Sequence, residues 1–382
     1  MIAETTLEFE ALEAQAANLL GRFIQAGYQS VAPSLIQPAG LFLDRIGETI
    51  RARTYVFTDP SGEELCLRPD LTLPVTRIFL ERGPQTGPAK YCYNGPAFRI
   101  QDGQPDPLRP REFRQAGIEY FGVSSAAADA EVFALSLEAL RAVGLNSFVV
   151  KLGHIGLFNA LLAALPIPPR WRQRLERAFW RPQAFAHVLK SLANGEHASF
   201  LAYDAPFPAP PLTETKLYAY LQANEITFIG SRSTAEVLQR LIDKAADANE
   251  PPLPIAYVDL IETYLRLQGP VPQTFAAMRA VLHKAGVNLD TALTEAETLF
   301  ERFAELAAPA PLYFAADFGR HFEYYTGMMF QVEIEGAGVA GQIAGGGRYD
   351  GLIRALTAGA REASAVGAAI HTERLLAAIS RG

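Results

Sequence analysis

Cysteine is scarce in this 382-residue chain, which contains only Cys66 and Cys92. Each stands in a short apolar run typical of a strand. Neither has a second cysteine or a histidine at the short spacing that a zinc site needs. We interpret both as small buried side chains in a reducing compartment. The sequence therefore predicts no disulfide framework, no metal site and no cofactor.

Long apolar runs are also missing. The first eight residues, MIAETTLE, are acidic and have no apolar core, so they do not resemble a signal peptide. No apolar run approaches the roughly 20 residues that a membrane-spanning helix needs. We therefore expect a soluble, cytoplasmic protein.

The chain has fewer basic than acidic residues: 34 Lys and Arg and 41 Asp and Glu, which give a net charge of −7. This balance disfavours nucleic acid as the main partner, because phosphate binding needs concentrated Lys and Arg. A GxGxxG turn at a strand–helix junction and a P-loop lysine are both absent. Neither of those nucleotide-binding modes is indicated.

The patterns that are present alternate between helical and strand periods. Apolar residues at three- and four-residue steps predict a helix over 7–27, and Asp70 precedes a second helix over 71–80. The expected strands, several of them joined as hairpins, are 54–58, 64–68, 90–100, 112–121, 146–152, 312–317, 324–335, 341–349 and 364–370. Consecutive hairpins predict an antiparallel sheet, so we expect an α+β fold with helices flanking that sheet.

The middle of the chain has a different character. Residues 165–310 contain helical patterns, for example over 234–246, separated by proline-rich breaks. We expect a mostly helical insertion there, and a core formed by residues 1–164 and 311–382.

One predicted strand carries an unusual polar stripe. Residues two apart in 112–121 share a face, which places Gln115 and Glu119 together, with Arg99 on the neighbouring segment. Two interpretations are open from the residues alone: a solvent-facing stripe, or a ligand site. Because a buried charge must be paired, Arg99 could also simply neutralise Glu119.

Several segments, taken in order, resemble the histidyl-tRNA synthetase family of class II aminoacyl-tRNA synthetases. Residues 94–99 (NGPAFR) and 111–122 (REFRQAGIEYFG) resemble motif 2 in its histidyl form. The other matching segments are Gly27 to Pro33 (motif 1), 55–72 (histidine-binding segment), 320–327 (RHFEYYTG, a histidine-specific signature), 344–351 (glycine-rich hairpin) and 365–375 (motif 3). The resemblance implies a class II synthetase-like sheet and a homodimer formed through the segment around Pro33.

The resemblance also implies a set of histidine-binding residues, and no catalytic ones. They are Asp70, Thr72, Arg99, Gln115, Glu119, Arg320, Tyr324 and Tyr325. In this assignment Glu119 and Tyr325 hold the imidazole, and Arg320 binds the carboxylate. The α-ammonium is assigned to Asp70, Thr72 and Gln115. Asp70 alone could instead be a helix cap.

The chain departs from the synthetase pattern at four points. Gln101 replaces a glutamate that contacts adenine, and His371 replaces a glycine that lies against the nucleotide. Residues 321–323 read HFE where the family has GLD, and only eight residues follow Arg374. We therefore expect a degraded ATP site and no C-terminal anticodon-binding domain.

This combination resembles the regulatory subunits of ATP phosphoribosyltransferase. The resemblance implies a non-catalytic chain that binds a short-form catalytic subunit within a hetero-oligomer and mediates histidine feedback. The main alternative is a truncated synthetase-like enzyme that activates an amino acid, because Arg99, Arg320 and Arg374 are all kept. A synthetase-derived RNA-binding regulator is a third hypothesis, which the acidic charge disfavours.

Overall fold

The fold is described by a computed structural model that covers most of the chain. The described residues are 6–43, 51–83, 87–101, 110–196, 213–224, 235, 239, 242, 250–319 and 324–380. Most of the helical pattern predicted over 234–246 lies outside these residues, and so does Arg320.

Thirteen helices lie within this described part of the chain. They are α1 (Thr6–Gln25), α2 (Gly40–Leu43), α3 (Thr72–Glu81), α4 (Ala126–Ala142), α5 (Ile155–Ala164), α6 (Pro169–Ala178), α7 (Pro182–Ala193), α8 (Glu214–Ala223), α9 (Ile255–Leu265), α10 (Val271–Lys284), α11 (Asp290–Ala307), α12 (Gly351–Leu356) and α13 (Thr372–Ile379). A 3-10 turn covers Gly338–Gly341. The predicted N-terminal helix is confirmed: α1 ends where Gly27 adopts a φ of 87°, a conformation that favours glycine.

Twelve strands fall in the same described ranges. They are β1 (Gln29–Ser30), β2 (Ile36–Pro38), β3 (Val56–Thr58), β4 (Glu64–Leu67), β5 (Ala89–Phe98), β6 (Glu112–Phe121), β7 (Val149–His154), β8 (Gln268–Pro270), β9 (Leu312–Ala315), β10 (Met328–Glu333), β11 (Gln342–Arg348) and β12 (Ala365–His371). Nine of them form one sheet in the order β1-β5-β6-β12-β11-β10-β7-β9-β8, and β2-β4-β3 form a second.

The large sheet is mixed, with antiparallel pairs through its centre. Strands β5, β6, β12, β11, β10 and β7 pair antiparallel in that order. The two parallel pairs, β1 with β5 and β7 with β9, lie towards the edges. The predicted α+β class is confirmed, and the expected hairpins β3–β4 and β10–β11 form. Strand β10 begins at Met328, so Tyr324 and Tyr325 precede the strand instead of lying in it.

The two faces of β6 carry different partners. Even-numbered residues face α1 and its neighbours, and Tyr120 makes an edge contact with Tyr28. Odd-numbered residues face α3, where Phe121 stacks on Phe79 with ring centroids 4.6 Å apart. Because both faces are covered, the predicted polar stripe is buried: Gln115 is 5% exposed and Glu119 is 1% exposed. A solvent-facing stripe is therefore the wrong interpretation.

The chain divides into two compact units. The first is Met1–Leu161 with Tyr264–Gly382, and the second is Leu162–Thr263. The second unit is helical in its described part, and its core includes Trp171, Leu175 and Leu189. It is shorter than the helical region expected over 165–310. The reason is that β8 pairs with β9, which draws residues 264–310, with α10 and α11, into the first unit.

No helix in the described ranges is both long enough and apolar enough to cross a membrane.

Candidate functional site

A cavity of about 500 Å³ opens in the first unit, on the face of the large sheet that α3 covers. Its lining includes every predicted histidine-binding residue that the structure describes: Asp70, Thr72, Arg99, Gln115, Glu119, Tyr324 and Tyr325. These residues come from three separate parts of the chain. Arg320 lies outside the described residues. The cavity is therefore where the predicted site residues converge.

Glu119 lines this cavity, and hydroxyl groups hold its two oxygens. The Tyr93 hydroxyl donates to Oε1 at 3.1 Å, and the Tyr349 hydroxyl donates to Oε2. Burial raises the pKa of Glu119 to about 7, although hydrogen bonds from Tyr349, Thr72 and Tyr93 oppose that rise. Arg99 does not neutralise it, because Glu119 forms no ion pair in the described part of the chain.

Two glycines make room for this arrangement. A Cβ on Gly367 would collide with Glu119 Oε2, and a Cβ on Gly117 would collide with the Tyr93 hydroxyl. On the hairpin, a Cβ on Gly347 would lie 2.6 Å from the Met328 carbonyl oxygen and 2.9 Å from the Tyr325 ring. The glycine-rich run 345–347 therefore lies inside strand β11 and allows close backbone packing, instead of forming a turn.

Asp70 is the second buried carboxylate of the cavity, 5% exposed. Its Oδ1 accepts a hydrogen bond from the Leu73 backbone N at 3.3 Å, so it does support the start of α3. Its Oδ2 is buried and has no hydrogen-bond partner within the described residues. Burial raises the pKa of Asp70, against the opposing field of Arg99. A helix-capping role thus accounts for one oxygen and leaves the other free.

Gln115 adds a further unpaired acceptor. Its Oε1 is buried on the cavity wall and, among the described residues, has no hydrogen-bond partner. A buried acceptor without a partner costs about 1–3 kcal/mol. Two such atoms in one cavity, Gln115 Oε1 and Asp70 Oδ2, indicate a place for a ligand with several donors.

Aromatic rings form another wall. The rings of Tyr324 and Tyr325 lie 4.7 Å apart, and Tyr324 packs edge-on against Tyr349 at 5.7 Å. Burial raises the pKa of all three hydroxyls, so they stay protonated at neutral pH. They can therefore both donate and accept hydrogen bonds.

Basic residues form one part of the cavity lining. Arg99 donates from Nε to the Pro69 carbonyl oxygen at 2.8 Å and lies over the Phe113 ring. Burial lowers the pKa of Arg99 to about 10, which leaves it charged at neutral pH. Arg53 and Arg374 line the same cavity.

His371 also lines this part of the cavity, paired in register with Gln115. Burial, then the charges of Arg374 and Arg99, lower its pKa well below the usual range, so its ring is neutral. Its side chain occupies space that a glycine would leave open. Gln101, the other substituted position, is not part of the described lining.

Two site residues were not among those predicted: Tyr93 and Tyr349. Both touch Glu119, and Tyr349 also lines the cavity. Tyr349 lies two residues after the glycine-rich run, and Tyr93 lies opposite Gly117 on the partner strand. Alternation along β5 could have placed Tyr93 on the Glu119 face. No local pattern relates Tyr349 to Glu119, which is 230 residues away.

Comparison with known proteins identifies the family of this chain. The family model for histidyl-tRNA synthetase matches residues 6–203 and 213–375. Proteins named ATP phosphoribosyltransferase regulatory subunit are similar over almost the whole length. The Agrobacterium fabrum protein is 35% identical over 95% of this chain and 96% of its own, and the Chelativorans protein is 33% identical over 90% and 91%.

Solved structures support the fold. A Bacillus halodurans ATP phosphoribosyltransferase regulatory subunit/histidyl-tRNA synthetase aligns with a TM-score of 0.65 at 23% identity, covering 99% of this chain and 82% of that one. A Nostoc histidyl-tRNA synthetase aligns with a TM-score of 0.60 at 17% identity, covering 98% and 72%. The chain therefore belongs to the histidyl-tRNA synthetase family, and within it to the ATP phosphoribosyltransferase regulatory subunits.

Proposed function

We propose that this chain is a non-catalytic regulatory subunit of ATP phosphoribosyltransferase that binds L-histidine in the cavity. The observation that carries the proposal is a pair of buried acceptors that have no partner among the described residues, Asp70 Oδ2 and Gln115 Oε1, in the same cavity as Glu119. An α-ammonium has three N–H donors and a positive charge, which suits an unpaired carboxylate oxygen and an amide oxygen. The imidazole then reaches Glu119 and Tyr325.

The basic side of the cavity suits the other end of the ligand. Arg99 is charged and lies beside Asp70, so a zwitterion finds opposite charges within one cavity. The resemblance assigns the ligand carboxylate to Arg320, which remains a prediction. An amino acid with an imidazole side chain satisfies the acceptors, the hydroxyls and the guanidinium together.

The regulatory role is inferred from this pocket together with the names of the relatives. Their name implies a catalytic partner, and we infer that a short-form ATP phosphoribosyltransferase is the partner of this chain in the first step of histidine biosynthesis. Histidine can regulate such an assembly only by binding one of its states more tightly than the other. The coupling is reciprocal, so inhibited complexes should hold histidine more tightly than the free chain does.

Reconstitution tests this function. The chain is mixed with the short-form catalytic subunit from the same organism, and ATP phosphoribosyltransferase activity is followed with and without histidine. We expect the mixture to be more active than the catalytic subunit alone, and inhibition by histidine to depend on this chain. Asp70→Asn should keep the activation and weaken the inhibition, because the variant loses the charge that binds the ammonium. Activity that is unchanged by adding the chain would contradict the proposal.

An amino-acid-activating enzyme is the second candidate, favoured by the three arginines Arg53, Arg99 and Arg374 around the cavity. Guanidinium groups of this kind could stabilise an adenylate. His371 counts against it, because its side chain fills space on the same wall. Histidine-dependent exchange of pyrophosphate into ATP discriminates between the two. We expect no exchange by the chain alone, and exchange at a synthetase-like rate would replace the regulatory proposal with the enzymatic one.

A further inference from the structure

We propose that the cavity binds histidine with its ring in the imidazolium form, so that binding above neutral pH takes up one proton from solvent. The inference rests on the proposed function, since it concerns the state of the ligand in the same pocket. It follows from a charge imbalance around Glu119 in the cavity.

Glu119 is the origin of this imbalance. It is a carboxylate that is 1% exposed, and its hydrogen bonds come from the hydroxyls of Tyr93 and Tyr349, with Thr72 nearby. In the described part of the molecule no Lys, Arg or His nitrogen pairs with it. Hydroxyls stabilise a negative charge but do not cancel it, and a buried charge without a counter-ion is costly.

Asp70 makes the imbalance larger. It lines the same cavity, its Oδ2 has no partner among the described residues, and its charge adds to the rise in the pKa of Glu119 that burial mainly causes. The α-ammonium of the ligand, together with Arg68 and Arg99, offsets Asp70. Glu119 then needs a second cation, and an imidazolium ring offsets its charge while donating an N–H to it.

Within the described residues, the other titratable groups around Glu119 cannot supply the missing positive charge. They come from β5, from the end of β11, from the segment before β10 and from the start of α3. They are Tyr93, Tyr349, Tyr324, Tyr325 and Asp70, with Tyr91 opposite in register and Tyr28 farther away. All of them are neutral or acidic. The cations Arg68 and Arg99 act on Asp70.

The proton balance makes the proposal measurable. Burial raises the pKa of Glu119 to about 7 in the empty pocket, and the ring of free histidine titrates near pH 6.5. At about pH 8 both groups are deprotonated before binding, and the bound pair shares one proton, so close to one proton is taken up. At about pH 6 both are largely protonated before binding, so about 0.7 proton is released. The net number of protons taken up on binding should change sign close to neutral pH.

Calorimetry in buffers of different ionisation enthalpy counts these protons. Histidine is titrated into the full chain across this pH range, and ¹⁵N NMR of bound, ring-labelled histidine locates the shared proton. We expect uptake on the alkaline side, release on the acid side, and similar shifts for the two ring nitrogens, as an imidazolium gives. Widely separated nitrogen shifts, as a neutral ring gives, would overturn the proposal even if a proton is taken up.

Three variants make the assignment specific. Glu119→Gln should bind histidine more weakly and abolish the uptake at alkaline pH. Tyr349→Phe removes a hydrogen-bond donor that lowers the pKa of Glu119, so that pKa should rise. The pH at which proton uptake turns into proton release should therefore move to a higher value. Glu131→Gln is the matched control: Glu131 also contacts a tyrosine hydroxyl, Tyr28 at 3.1 Å, but it pairs with Lys90 at 2.6 Å and does not line the cavity. It should leave the proton count unchanged.

The outcomes separate the two proposals. Binding of histidine without proton uptake on the alkaline side overturns this inference and leaves the proposed function standing. An absence of histidine binding at every pH overturns both. Uptake that persists in Glu119→Gln overturns the assignment to this carboxylate.

Discussion

Glu119 shows how much a single buried carboxylate depends on its neighbours. Glycines at 117 and 367 leave room for it and for Tyr93, and hydroxyls from two distant segments hold its oxygens. Each of these neighbours has a plain structural reason to be where it is. Together they keep an ionisable acceptor in the lining of a ligand-sized cavity.

Replacing Glu119 by alanine tests its role in binding. The change removes a charged acceptor from a desolvated pocket, so we expect histidine affinity to fall by roughly 2–4 kcal/mol in calorimetry. Glu131→Ala, outside the cavity, serves as the control and should bind histidine as the unmodified chain does. Equal affinity in Glu119→Ala would refute the assignment of the imidazole to this residue.

The buried ion pair between Arg348 and Asp129 contributes to stability instead of to ligand binding. Arg348 at the end of β11 reaches Asp129 of α4 at 2.5 Å and Asp350 at 3.0 Å. Asp129→Ala leaves a buried guanidinium with one partner fewer, and we expect it to lower the free energy of unfolding by roughly 3 kcal/mol. The exposed pair Arg354–Glu362, at 3.6 Å, is the control. Glu362→Ala should change stability by less than about 0.5 kcal/mol in the same denaturant titration.

The small sheet β2-β4-β3 presents an apolar face. Its register places Pro38 and Phe57 on either side of Leu65, and Ile36 beside Leu67. Ile36 is 50% exposed and Phe57 is 39% exposed. Exposed apolar side chains that share one face are typical of interaction sites. It directly follows the segment around Pro33, where the motif 1 resemblance predicts the homodimer contact.

We therefore expect the chain to be a homodimer at micromolar concentration without a partner, measured by light scattering. Phe57→Asp places a charge on the apolar face, so it should shift the chain towards the monomer. Tyr313→Asp alters a residue of similar exposure, 42%, on β9 of the other sheet and should leave the dimer intact. A monomeric unmodified chain would count against this interface.

Stability of the whole chain should depend on pH through the same carboxylate. The pKa of Glu119 is about 7 when folded and near 4.5 when unfolded, so the folded state binds the extra proton between these values. The stabilisation is fully present below about pH 4.5 and is lost as pH rises through about 7, by up to about 3 kcal/mol. His154, whose pKa burial lowers to about 4, acts in the opposite direction.

Comparison with Glu119→Gln isolates this contribution. In urea titrations of the histidine-free protein, the difference in unfolding free energy between the unmodified chain and the variant should fall as pH rises from about 4.5 to 7. The contribution of His154 is common to both proteins and cancels. A constant difference across that range would show that Glu119 keeps an ordinary pKa in the folded state.

The predictions from sequence succeeded where the signal is local. Helix α1 follows from apolar spacing, and the hairpin β3–β4 follows from its turn chemistry at Gly62. Alternation along β6 correctly placed Gln115 and Glu119 on one face, because the period of a strand is two. The histidine-binding roles came from the motif resemblance, and the structure brings the seven described residues of that set to one cavity.

Long-range packing accounts for the features that sequence reasoning missed. The hydroxyl of Tyr349 meets Glu119 only because β11, β12 and β6 are adjacent in the sheet. The boundary at Tyr264 depends on β8 pairing with β9 across more than forty residues, for which no local pattern exists. Whether Glu119 is exposed, paired with Arg99 or buried among hydroxyls is set by the elements that cover its face. The strand period and the turn residues, which are local, determine which face of the sheet a side chain is on. The contacts that the side chain makes on that face arise only when distant segments pack together, and so does their effect on its pKa.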